Sequence, residues 1–215
     1  MVGYEQRGRV AVLTIRRPEA RNAVNGDVAQ ALEAAVDRFE GDDDTWAAVL
    51  AGEGPVFSAG ADLKAVAAGR AADLLTERGG FGGFVARARA KPVVAAVDGP
   101  ALAGGCELAL ACDLIVASRQ ASFGLPEVKR SLVAAAGGLF RLPKALPRNV
   151  ALEIVLTGDP IDAARAYEVE RLFVASIHMD SCHCSVCGSA WDEDTGGHYR
   201  ARGDGGSVLV RRAKR

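Results

Sequence analysis

An α/β fold of stacked strand–helix units is predicted by three observations along the chain. Short β-branched or apolar runs alternate with stretches of helical periodicity. Glycine or proline stands at most junctions between them. Strands separated by helices imply mostly parallel pairing, since a crossover is needed to bring one strand beside the next.

The elements follow in order. From Met1 the chain enters a strand-like pattern, and Val10-Ala11-Val12-Leu13-Thr14-Ile15 reads as a strand ended by Arg16-Arg17-Pro18. A helix spans about Gly26 to Glu40: Val28, Leu32, Ala35 and Phe39 recur at three- and four-residue steps, Asn25 can cap its start and Gly41 can stop it. Ala47 to Ala51 is a second strand, broken by Gly52-Glu53-Gly54-Pro55. Ala61 to Ala72 reads as helical, Gly79 to Gly83 as a mobile glycine-rich stretch, and Phe84 to Ala90 as a short helix. Pro92 to Asp98 is a buried strand, Gly104 to Ala111 a helix and Asp113 to Ser118 a further strand. Leu139 to Leu156 is helical with interruptions at Pro143 and Pro147, and Asp162 caps a last short helix through Tyr167.

Composition narrows the class. The 215 residues suffice for one sizeable core, and 49% apolar with 25% charged residues is the balance of a globular protein. A net charge of -1 gives no bulk basic character for nucleic acid. No apolar run approaches a membrane span, and no basic-then-apolar leader precedes the first strand, so a cytoplasmic location is expected. Beyond about Glu168 the periodicity fails. The expected division is a core over 1–168 and an irregular or disordered tail over 169–215. Cys106 and Cys112 read as buried thiols, while Cys182, Cys184 and Cys187 cluster in the tail with all three histidines after position 177. Cys182, His183, Cys184, Cys187 and His198 are soft ligands for a tetrahedral zinc, but C-x-C is a poor zinc spacing; an unpaired irregular tail is the alternative.

Three glycine-containing segments carry the chemistry: Phe57-Ser58-Ala59-Gly60-Ala61-Asp62-Leu63-Lys64, Val97-Asp98-Gly99-Pro100-Ala101-Leu102-Ala103-Gly104-Gly105-Cys106-Glu107-Leu108, and Ser122-Phe123-Gly124-Leu125-Pro126-Glu127-Val128. Glycines let backbone N–H groups approach a ligand, and a helix start leaves its first amides free. Two such turns, one near Gly60 and Ala61 and one at Gly104, can polarise a carbonyl; a tight β-α turn with no ligand is the plain account of either alone. Glu107 in the first turn of an apolar helix is locally favourable, yet Glu is rarely buried without a reason. Glu127 alone reads as a solvated loop carboxylate. Together the two carboxyls can hold one water and act as acid and base.

The ordered blocks F-S-A-G-A-D-L, G-G-C-E-L and F-G-L-P-E resemble the enoyl-CoA hydratase/isomerase (crotonase) superfamily, from the first strand to about Tyr167. The resemblance implies a ClpP/crotonase-type fold of stacked β-β-α units whose C-terminal helical part is missing or replaced. It implies that the Ala61 and Gly104 amides form an oxyanion hole for a thioester carbonyl. It implies that Glu107 and Glu127 add water to a trans-2-enoyl-CoA, giving a 3-hydroxyacyl-CoA as in fatty-acid β-oxidation, with Glu107 the base and Glu127 mainly the acid. Ala61, Asp62, Leu63, Lys64 and Gly104 would line the CoA site. No metal or redox cofactor is implied, coenzyme A being part of the substrate; neither nucleic acid nor membrane is an expected partner, and the family-typical assembly is a homotrimer or hexamer.

The chain departs from the family after the Asp162–Tyr167 helix, where a G-L-V-type segment and further helices normally follow. A frameshift, truncation or fusion would account for the change. Two functions compete with hydration: a double-bond isomerase, and a non-catalytic acyl-CoA binder. A zinc-stabilised interaction module in the tail is a third.

Overall fold

The computed structural model describes residues 1–169, 198–200 and 207–209. The chain opens with β1 (Val2–Arg7) and β2 (Val10–Ile15), followed by α1 (Gly26–Glu40) and β3 (Ala47–Gly52). After α2 (Leu63–Ala67) come two short strands, β4 (Leu75–Thr76) and β5 (Gly80–Phe81). Then follow β6 (Val93–Val97), β7 (Pro100–Leu102), α3 (Gly104–Leu110), β8 (Leu114–Ala117) and β9 (Ser122–Gly124). The core ends in α4 (Gly138–Ala145), α5 (Arg148–Thr157), β10 (Ile161–Asp162) and α6 (Ala163–Glu168).

The main sheet runs β1-β2-β3-β6-β8, with β1 antiparallel to β2 and every other pair parallel. Its inward residues alternate as a pleated strand requires: Ala11, Leu13 and Ile15 on β2, Ala48 and Leu50 on β3, Val93, Ala95 and Val97 on β6, all buried. α1 packs on β1 and β2 and buries Val28, Leu32, Val36 and Phe39, the face its periodicity marks out. Each such side chain contributes about 1.5–3 kcal/mol when fully buried. The expected cap holds: the Asn25 side chain accepts from the Val28 N–H at 3.0 Å, and Gly41 ends the helix.

A second, smaller sheet was not foreseen. It runs β10-β9-β7, with β7 and β9 parallel and β10 antiparallel to β9. β6, β7 and α3 thus form a β-β-α unit, its two strands in different sheets.

Four expectations need correction. Pro143 does not interrupt the helix over 139–156: α4 runs through it to Ala145, and the break comes at Leu146 and Pro147. The helix expected over 61–72 is confined to α2; Gly69, at φ 76°, ends it, and a 3-10 turn over Ala71–Leu74 follows. No helix forms over 84–90. Gly82 and Gly83 hold φ near 65° just before it, and the following side chains are engaged elsewhere: Arg87 on Asp37, and Arg89 on the Ala111 carbonyl. The glycines of 79–83 are packed rather than loose, since β4 pairs with β5 and a Cβ on Gly83 would overlap the Ala29 carbonyl.

Of the segment read as irregular, β11 (His198–Arg200) and β12 (Ser207–Leu209) form an antiparallel pair, with Tyr199 opposite Val208, both β-favouring residues. Cys182, His183, Cys184 and Cys187 lie outside the described residues, as does the rest of the span after Val169. Among the described residues, no helix is long and apolar enough to cross a membrane.

Candidate active site

The parallel pairing of β7 with β9 builds the site. Its register places Leu102 beside Gly124, and the Ala103 N–H donates to the Gly124 carbonyl at 2.9 Å. From that point one chain enters α3 and delivers Glu107; the other enters the 3-10 turn Pro126–Arg130 and delivers Glu127. Two carboxyls twenty positions apart are therefore brought to one place by three pairs of strand residues.

The first segment joins through another pairing. Ser58 bridges to Ala101, and the Leu102 N–H donates to the Ser58 carbonyl at 3.0 Å. Gly60 consequently lies against Gly104. A Cβ on Gly60, which holds φ 86°, would come within 2.6 Å of the Gly104 nitrogen; a Cβ on Gly104 would lie 2.5 Å from Cζ of Phe81. Only glycine lets these two turns touch. Among the described residues, neither the Ala61 nor the Gly104 N–H has a hydrogen-bond acceptor. Between the turns, Ala103 holds φ 50° and ψ -128°, a conformation non-glycine residues rarely adopt. Its N–H and carbonyl are both bonded, to Gly124 and by Glu107, which fixes it there.

Glu107 is 3% exposed. Its Oε1 accepts from the Gly138 N–H at 2.8 Å. Burial pushes its carboxyl up to about 7; the amides of Gly138 and Ala136 and the Arg141 cation pull the other way, and the Glu127 charge adds to the rise. Glu127 is half-buried, and burial raises its carboxyl too. Its Oε2 is buried without a donor among the described residues. Glu127 also borders an apolar groove of about 230 Å³, lined by Leu125, Val128, Leu132, Val133, Ala134, Leu139, Val155 and Leu156.

The other singled-out residues divide. Gly104 lies against Gly60, the residue before Ala61, and Ala61 itself bridges to Val24. Asp62 turns inward: its side chain accepts from the Lys64 and Ala65 amides and pairs with Arg17 at 3.1 Å. Burial raises the Asp62 carboxyl, but Arg17 and these amides outweigh it and hold it below the usual range. Leu63 and Lys64 are exposed at the start of α2.

Several supporting residues carried no sequence signal. Asn22 is fully buried, donating to the Glu53 and Val56 carbonyls and accepting from the Arg17 N–H. Ser58 donates to the Asn22 carbonyl and accepts from the Gly60 N–H, tying the Gly60 turn to this network. Phe81 and Arg141 also flank the site. Their partners lie far along the chain, so neighbouring residues do not announce them.

A mostly parallel sheet, a glycine-on-glycine contact beside two amides without an acceptor among the described residues, and one buried and one half-buried carboxyl are features of an α/β protein of the crotonase type. The pattern of the enoyl-CoA hydratase/isomerase family matches residues 5–170. The chain is 44% identical over 167 residues to a probable enoyl-CoA hydratase of Rhizobium meliloti (strain 1021), covering 75% of this chain and 63% of that protein. It is 42% identical over 179 residues to the carnitinyl-CoA dehydratase of Salmonella enteritidis PT4, covering 81% and 68%. Its fold is similar to a crystal structure of enoyl-CoA hydratase from Mycobacterium tuberculosis H37Rv, with a TM-score of 0.77 and 50% identity over 81% of this chain and 69% of the other. This chain belongs to the enoyl-CoA hydratase/isomerase family. It spans less than two thirds of the first of these relatives.

Proposed function

We propose that this chain hydrates trans-2-enoyl thioesters of coenzyme A to 3-hydroxyacyl-CoA. What supports the proposal is a buried and a half-buried carboxyl, one feeling the charge of the other, on segments that also carry two backbone amides without an acceptor among the described residues. The thioester carbonyl accepts from the Ala61 and Gly104 N–H groups, which stabilise the enolate-like charge that builds up as water adds. Glu107, as carboxylate, takes a proton from the water as its oxygen bonds to C3. Glu127, as acid, gives a proton to C2. Burial raises both carboxyls, and the Glu127 charge raises Glu107 further, so a protonated acid beside a carboxylate suits this division. General acid–base groups of this kind contribute about 10²–10⁴-fold each.

In the same proposal, the exposed Leu63 and Lys64 meet the coenzyme A moiety, with Lys64 facing its phosphates or ribose. Asp62, paired with Arg17, holds the turn that presents them. The chemistry calls for no resident cofactor. The working assembly would be a family-typical trimer or hexamer in the cytoplasm.

One feature favours a second reading, an acyl-CoA binder without turnover: Glu127 borders an open apolar groove. Crotonyl-CoA in H₂¹⁸O separates the readings by mass spectrometry. Hydration yields 3-hydroxybutyryl-CoA carrying one ¹⁸O, isomerisation yields a 3-enoyl thioester without label, and a binder returns crotonyl-CoA unchanged. Either of the last two outcomes contradicts hydration.

A further inference from the structure

One cation beside the site has no part in these steps. Arg141, in α4, donates from Nη1 to the Ala136 carbonyl at 3.0 Å and from Nη2 to the carbonyl of Val85, 56 positions away. Its guanidinium folds back over Gly137, whose φ of 109° and missing Cβ make room; a Cβ there would overlap Nη1. The turn it braces, Ala136 to Gly138, carries the N–H that donates to Oε1 of Glu107. A planar guanidinium can grip two carbonyls in fixed directions, which an ammonium cannot.

We propose that Arg141 is a positioning residue: by tying the Ala136–Gly138 turn to Val85, it fixes the orientation of the Glu107 carboxyl. Its consequence for turnover rests on the hydratase proposal; the positioning itself does not.

The charges around Glu107 give the inference a second signature. Glu127 faces it from the 3-10 turn and raises its pKa; Arg141 faces it from α4 and lowers it. Cys106, its neighbour on α3, is a buried thiol whose pKa is pushed up, so it stays neutral. Behind Arg141 stands Arg89; burial first and then Arg89 lower the Arg141 pKa, while Glu107 raises it. Removing the Arg141 charge leaves Glu107 with Glu127 as its one charged neighbour among these.

The Gly138 amide, bonded to Glu107, reports on both effects without turnover. In the full ¹⁵N-labelled chain its resonance is followed from pH 5 to 9. The parent should titrate with a midpoint near 7, and Glu107→Gln should abolish the titration, which assigns it. Arg141→Met should raise the midpoint by about one unit. Arg141→Lys keeps the cation but loses the two-carbonyl grip. Its midpoint should stay within about 0.3 unit, while Gly138 hydrogen exchange speeds up about tenfold or more.

Arg141→Met with the parent's midpoint and exchange rate overturns the proposal. If that variant does not fold, Arg141→Lys decides: parent-like exchange at Gly138 overturns it and faster exchange supports it. Crotonyl-CoA turnover by the same samples keeps the two proposals apart. An inert parent counts against hydration and leaves the Gly138 result standing. With an active parent, Arg141→Lys should lower kcat about tenfold at unchanged KM.

Discussion

Burial pushes the Glu107 carboxyl up to about 7, and the Gly138 amide opposes that shift without cancelling it. A carboxyl raised in the folded state contributes stability that is fully present below its unfolded value near 4.5 and is lost as pH rises through 7. Glu107→Gln removes the titrating group. In denaturant melts, the variant should therefore gain on the parent between pH 5 and pH 8, by up to about 3 kcal/mol. A stability difference that does not change with pH would contradict the burial of an ionisable group at this position. The position of Glu107 was legible in the sequence, because a lone acid in an otherwise apolar helical turn stands out. That of Glu127 was legible only through its block. Arg141 and Asn22 were not: their partners are backbone carbonyls of Val85, Glu53 and Val56, which leave no trace in the neighbouring residues.

Short strands account for most of what the sequence hid at the level of elements. β7 and β9 have three residues each, too few to show a period, yet their parallel register sets the spacing between the two carboxyls. The 71–91 segment hid for another reason: side chains of α1 organise it. Asp37 holds Arg78 and Arg87, Glu33 accepts from the Thr76 hydroxyl, and the Glu40 carboxylate accepts from the Ala90 and Lys91 amides. This anchoring keeps Phe81 against Gly104. Gly104→Ala should therefore destabilise the fold by about 1–3 kcal/mol, because its Cβ would lie 2.5 Å from the ring. Phe81→Leu in the same chain should restore part of the loss, read as a rise in Tm over Gly104→Ala alone. Equal or lower stability of the double variant would show that the ring is not what excludes a side chain at 104. Long elements were easier: α1 was legible end to end, because its apolar face, Asn25 cap and Gly41 stop agree.

For the whole molecule, the mostly parallel sheet was legible because apolar strand runs separated by helical stretches need crossovers to pair. The face built by α4, α5 and the preceding loop was not, since its apolar residues looked like core. Leu132, Val133, Leu139 and Leu156, which line one groove, are instead at least 45% exposed there. A contiguous apolar surface of this kind favours association. Sedimentation should show a mass that rises with protein concentration, and Val133→Glu with Leu156→Glu should reduce that rise; a constant monomer mass for the parent would contradict it. The central claim joins the two carboxyls to one reaction. Its most direct measurement is the steady-state hydration of crotonyl-CoA by the parent, Glu107→Gln and Glu127→Gln, each with its acyl-CoA affinity measured alongside. The parent should turn over, and kcat should fall at least about 100-fold in each variant, with affinity retained. A parent that binds without turning over, or variants within a few-fold of an active parent, would contradict it.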